Sequence, residues 1–149
     1  MVPKGAIIGL CAGITGAVVL GLFLANIANQ VPVIVYVDGP SLSIMTEKTN
    51  FELGEAVTIK IINSGTVPLT FSDSSYGLKI VGLDGRILYS PPSIQTISIL
   101  QPNEEKTFVW DQTKSDGDKI IEGRYKIVSS TISSGENVLK KSLSINILK

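Results

Sequence analysis

Hydrophobic and polar positions along this chain fall into two regimes. From Ala6 to Asn26 the stretch AIIGLCAGITGAVVLGLFLAN carries no charged side chain. About 20 residues at roughly 1.5 Å of rise each reach about 30 Å, the thickness of a bilayer's hydrocarbon core. The pattern predicts a membrane-spanning helix over 6–28. A cleaved secretory signal has a shorter apolar region, about 7 to 15 residues, and an A-x-A-like site. A retained anchor is therefore expected.

After the span the period changes from helical to alternating. Val31 to Tyr36, VPVIVY, is β-branched and contains Pro32, and proline inside a helix costs about 3 kcal/mol. Residues 29–40 read as an exit segment in which Val31 to Tyr36 becomes the first strand. Asp38-Gly39-Pro40 makes a turn, and Ser41 to Thr46 sets Leu42, Ile44 and Thr46 on one face. Ala56 to Ile62 alternates with Val57, Ile59 and Ile61 inward and Thr58 and Lys60 outward. Asn63-Ser64-Gly65 leads into Val67 to Phe71. Leu78 to Val81 and Arg86 to Tyr89 are joined through Asp84-Gly85, a strong hairpin signal. Further strands are expected over Ile94 to Leu100, Lys106 to Trp110, Glu122 to Ser129, and a last one with Leu143, Ile145 and Ile147 inward.

Short strands punctuated by turns every 8 to 12 residues or so, with no amphipathic helix between them, predict an all-β domain. The expected architecture is an immunoglobulin-like β-sandwich of about eight or nine strands over residues 41–149, preceded by one N-terminal transmembrane helix. The Cys-Trp-Cys core of antibody domains is absent.

Flanking charge orients the span. Lys4 precedes it, whereas Asn29, Gln30 and Asp38 follow. The positive-inside bias places residues 1–5 in the cytoplasm and the β-domain outside the cell membrane. Small residues recur every fourth position at Gly5, Gly9, Gly13, Ala17, Gly21 and Ala25. In lipid such a stripe lets a second helix approach closely, so the expected partners are the bilayer and other transmembrane helices or protein subunits.

Composition then narrows the chemistry. The chain has no histidine and one cysteine, Cys11, inside the apolar run. Ser-His-Asp and Cys-His catalysis, zinc or haem sites built on those residues, and an intrachain disulfide are excluded. Thirteen basic and thirteen acidic residues are scattered rather than blocked, unlike a nucleic-acid binder. A Ser-Lys hydrolase has no spacing that singles out a pair. Asp111, Asp116 and Asp118 lack the ligand spacing of an EF-hand, so that loop reads as a solvated turn. No enzyme activity, cofactor or metal is expected. Phe71, Tyr76, Tyr89 and Phe108 read as core and cross-strand packing.

Two resemblances add to this. Gly54, Asn63-Ser64, Val67-Pro68-Leu69-Thr70-Phe71, Asp84-Gly85, Trp110-Asp111, Asp116-Gly117 and Gly123-Arg124-Tyr125 follow a family pattern over Phe51 to about Ser130. That stretch resembles the BsuPI domain family, named after the intracellular proteinase inhibitor of bacilli. The resemblance implies a sandwich with Trp110 and Tyr125 as core anchors, joined by Phe71 and Phe108, and with Gly85, Gly117 and Gly123 at turns. It implies serine-protease inhibition more weakly, with no reactive loop in view. Lys4-Gly5 followed by Ala6 and an unbroken apolar run is similar to the processing site of archaeal pilins and archaellins. The expected function is a membrane-anchored, non-catalytic accessory subunit of a larger assembly; the alternatives are a pilin-like filament subunit and a protease inhibitor.

Overall fold

The alternation seen in the sequence becomes strands wherever a second strand is present to cover one face. The computed structural model describes residues 33–132 and 138–149. Within them lie β1 (Leu42–Thr46), β2 (Asn50–Glu52), β3 (Val57–Asn63), β4 (Leu69–Phe71) and β5 (Lys79–Val81). They are followed by β6 (Ile87–Tyr89), β7 (Ser98–Leu100), β8 (Glu105–Trp110), β9 (Gly123–Ser130) and β10 (Lys140–Leu148). There is no helix among the described residues.

The strands form three sheets. One has the order β1-β3-β8, the second β2-β10-β9-β5-β6, and the third pairs β4 with β7. All ladders are antiparallel except β2 with β10, where Asn50, Phe51 and Glu52 run parallel to Asn146, Ile147 and Leu148. The inner faces meet in a sandwich-like arrangement around one core. Ile44, Ile59 and Ile61 come from the first sheet, Ile80, Ile127, Ile145 and Ile147 from the second, and Leu69, Phe71 and Leu100 from the small pair. Each such side chain contributes about 1.5–3 kcal/mol when fully buried.

Local chemistry closes the ends. Asp84-Gly85 turns β5 into β6, with Gly85 at a φ of 81°, and a register shift sits at Ile80/Val81. Gly123 opens the long strand β9, and two residues on, the Tyr125 hydroxyl donates to the Ile121 carbonyl at 2.7 Å. Trp110 donates its indole N–H to the Thr113 carbonyl at 2.8 Å and lies edge-on to Tyr125 at 6.3 Å.

Several expectations change. Ten strands occur among the described residues, against the eight or nine expected; Phe51 and its neighbours, for which no strand is expected, form β2. Val33 to Tyr36 forms no strand; Val33, Val35 and Tyr36 stay exposed, and the adjoining Val37 N–H donates to the Ser64 carbonyl at 3.0 Å. Of Ile94 to Leu100 only the last three residues form a strand, paired with β4, while Ile94 is instead tied to Ser74 through its carbonyl and its N–H. The expected span over 6–28 and its small-residue stripe lie outside the described residues.

Candidate functional site

Buried polar side chains in this domain serve the fold. Asn63 is fully buried; its Nδ2 donates to the carbonyls of Val67 and Leu100, both at 2.8 Å, and its Oδ1 accepts from the Gly65 N–H. Gln112 sits at a φ of 61° and is 1% exposed. Its Nε2 donates to the Glu52 carbonyl at 2.8 Å and its Oε1 accepts from the Gly54 N–H at 2.7 Å. Ser129 donates to the Tyr76 carbonyl. Among the described residues, no buried side-chain polar atom is left unpaired.

The aspartates of the loops are held by local donors. Burial pushes Asp73 up, but hydrogen bonds from the Ser75 hydroxyl and the Gly77 and Ser75 amides outweigh it and leave the carboxyl below its ordinary range. Asp111 is held down by the Thr113 hydroxyl despite some desolvation, with Lys119 adding to the effect. Asp116 accepts from the Asp118 N–H, and Asp118 lies 3.7 Å from Lys114. No group of three or more metal-ligating side chains occurs among the described residues.

Charged side chains are distributed unevenly over the two larger sheets. Lys48, Lys60, Arg86, Lys106, Lys114 and Lys119 each pair with a carboxylate within 4 Å. The remaining described cations are Lys79, Arg124, Lys126, Lys140, Lys141 and Lys149, and none of them forms such a pair with a described carboxylate. Lys79, Arg124, Lys126 and Lys140 all project from the outer face of the five-stranded sheet, where strand alternation aims Ile80, Tyr125 and Ile127 inward. Outward positions of β5, β9 and β10 hold Lys, Arg, Val, Ser, Asn and Leu, with no acidic residue among them. Arg124 is hydrogen-bonded to Asn146 at 3.2 Å.

That face is also concave. A groove of about 510 Å³ runs over it, lined by Lys79, Val81, Lys126, Val128, Lys140 and Ser142, with Leu83 and Ile87 of the β5–β6 hairpin on one flank and Val138 on the other. A smaller groove, about 300 Å³, lies outside the three-stranded sheet, and there Lys60 is already paired with Glu105 at 2.8 Å.

The residues singled out from the sequence lie elsewhere. Trp110, Tyr125 and Phe71 are buried in the core, and Phe108 is half-buried with its ring 6.3 Å from Tyr76. Gly117 adopts a φ of 92° in its own turn, and Gly123 a φ of 154° beside the Tyr125 ring. These positions are not gathered into one site. Gly5, Gly9, Gly13, Ala17, Gly21 and Ala25 lie outside the described residues. The basic groove was missed because its members are spread from residue 79 to residue 142, and only strand pairing unites them. Neither a family model nor a curated protein matches this chain.

Proposed function

We propose that this chain is a single-pass membrane protein whose extracytoplasmic, immunoglobulin-like domain is a non-catalytic binding or structural subunit of a larger membrane assembly. The apolar stretch over 6–28 supports the anchor, and its small-residue stripe supports a helix partner within the bilayer. An immunoglobulin-like sandwich is favoured by the packing of a three-stranded on a five-stranded sheet and by Tyr125, whose bond four residues back resembles a tyrosine corner. The single observation carrying a binding role is the uneven use of charge. Buried polar groups among the described residues are engaged in the fold, while three lysines, Lys79, Lys126 and Lys140, line one concave groove whose described lining holds no carboxylate.

Mild-detergent solubilisation of native membranes, followed by sizing and mass spectrometry of co-migrating chains, tests this reading. Co-migration with a defined complex, and release from it on Gly9→Leu/Gly13→Leu substitution, is expected. A chain that fractionates away from membranes, or that travels alone, refutes it. Lys4-Gly5-Ala6 favours a second reading as a filament subunit, which an intact mass starting at Ala6 together with recovery in sheared filaments would establish instead.

A further inference from the structure

Lys79, Lys126 and Lys140 of the five-stranded sheet repel one another, and no described carboxylate lines the groove they share. Register makes the crowding specific. Lys79 lies opposite Val128 and Val81 opposite Lys126, so lysine and valine alternate as a checkerboard across β5 and β9. Lys140 lies opposite Ser130, and Ser142 opposite Val128, which extends the pattern onto β10. Diagonal neighbours on one face are about 7–8 Å apart, within reach of long side chains. An occupant of this groove must supply negative charge and, between its charges, apolar surface for Val81 and the exposed Leu83, Ile87 and Val138 that flank it.

We propose that the outer face of β5, β9 and β10 is the docking surface for an acidic protein segment that carries apolar side chains between its carboxylates. Charge complementarity selects an anion, since Lys79, Lys126 and Lys140 line the groove with no ion-pair partner among the described residues. The apolar lining of Val81, Leu83, Ile87 and Val138 selects a polypeptide over a plane of lipid headgroups or a purely hydrophilic polyanion, neither of which covers such side chains. The proposal deepens the binding role given above and rests on it. Its test is read on purified full-length chain, so it fails separately from the membrane-assembly reading, which is read on native membranes.

Fluorescence anisotropy of a labelled octapeptide alternating glutamate and valine is measured against the full chain in zwitterionic detergent, at low and high salt. Binding that weakens with salt is expected. The Lys79→Gln/Lys126→Gln/Lys140→Gln variant should raise Kd about threefold to a hundredfold, the summed effect of three exposed charge contacts. Lys48→Gln/Lys60→Gln/Lys119→Gln removes the same net charge from paired sites and should leave Kd unchanged. Circular dichroism melts check that both variants fold. If the first does not, Ile87→Ser takes its place and should weaken peptide binding without altering net charge. Equal loss in both lysine triples, binding of polyglutamate as tight as the alternating peptide, or binding only to vesicles of phosphatidylglycerol and phosphatidylcholine each overturns the proposal.

Discussion

Gln112 joins parts of the chain about sixty residues apart, and its replacement has a magnitude that can be worked from the contacts. Gln112→Ala removes the bond to the Glu52 carbonyl and the bond from the Gly54 N–H. The Glu52 carbonyl keeps the Glu55 N–H at 3.1 Å, whereas no other partner is seen for the Gly54 N–H. Two hydrogen bonds at a net of about 1 kcal/mol each, with about 0.8 kcal/mol for one buried methylene, give a loss of roughly 3 kcal/mol. Backbone strain at the φ of 61° is common to both side chains and cancels. Urea unfolding followed by the fluorescence of Trp110, the single tryptophan and itself buried, reads the change directly. At an m-value of about 1.5 kcal/mol/M the midpoint falls by about 2 M.

The Gln112→Glu variant sharpens the test. Its carboxylate still accepts from Gly54 but faces the Glu52 carbonyl with no proton to donate. Burial and that opposed acceptor raise the folded-state pKa of the introduced group above the unfolded value of about 4.3. A raised folded pKa means that the stability is fully present below the unfolded value and is lost as pH rises through the folded one. The deficit relative to the parent chain should therefore be large at pH 7 and shrink towards pH 4, where the protonated group donates as the amide did. An alanine variant within about 0.5 kcal/mol of the parent, or a glutamate variant whose deficit is the same at both pH values, refutes the reasoning.

Two further outcomes are expected. Tyr125→Phe deletes only the hydroxyl bonded to Ile121, and because Ile121 is exposed its carbonyl regains water; the loss is about 1 kcal/mol by chemical denaturation. Asp73 has a depressed folded pKa, so its contribution is present above the unfolded value of about 3.9 and is lost as pH falls through the folded one. Asp73→Asn should be less stable at neutral pH, with a flatter decline below about pH 4 in urea titrations, and a parallel decline in both proteins counts against that role.

Strands that bury one face completely were legible in the sequence. In β1 and β3 the alternation Leu42, Ile44, Thr46 and Val57, Ile59, Ile61 maps onto buried positions because a facing sheet covers them. The β5–β6 hairpin followed from Asp84-Gly85, whose left-handed φ suits the turn. By contrast β2 is only three residues long, and its parallel pairing with β10 is set by residues almost a hundred positions away. Val33 to Tyr36 has strand-like composition, yet composition does not supply a neighbour to pair with. Polar residues such as Asn63 and Gln112 look like loop punctuation until the partners of their amides are known. The basic face is least legible of all. Single lysines in β5, β9 and β10 each read as an ordinary solvent-facing position, and the checkerboard exists only once register is fixed.

The place of β10 in its sheet bears on how the domain is made. This strand is the last of the ten in sequence, yet it lies between β2 and β9 and carries the core residues Ile145 and Ile147. During synthesis β9 and β2 remain open edges until residues 140–148 emerge, and neither can be completed by anything that precedes them. Assembly strand by strand from the N-terminal side is thereby blocked, and the sheet closes in one late, long-range step. Domains dominated by such distant pairings fold slowly and expose unpaired edges meanwhile. A nascent chain stalled short of β10 is thus a sticky half-sheet, so whatever escorts this chain must hold it open until the final strand arrives.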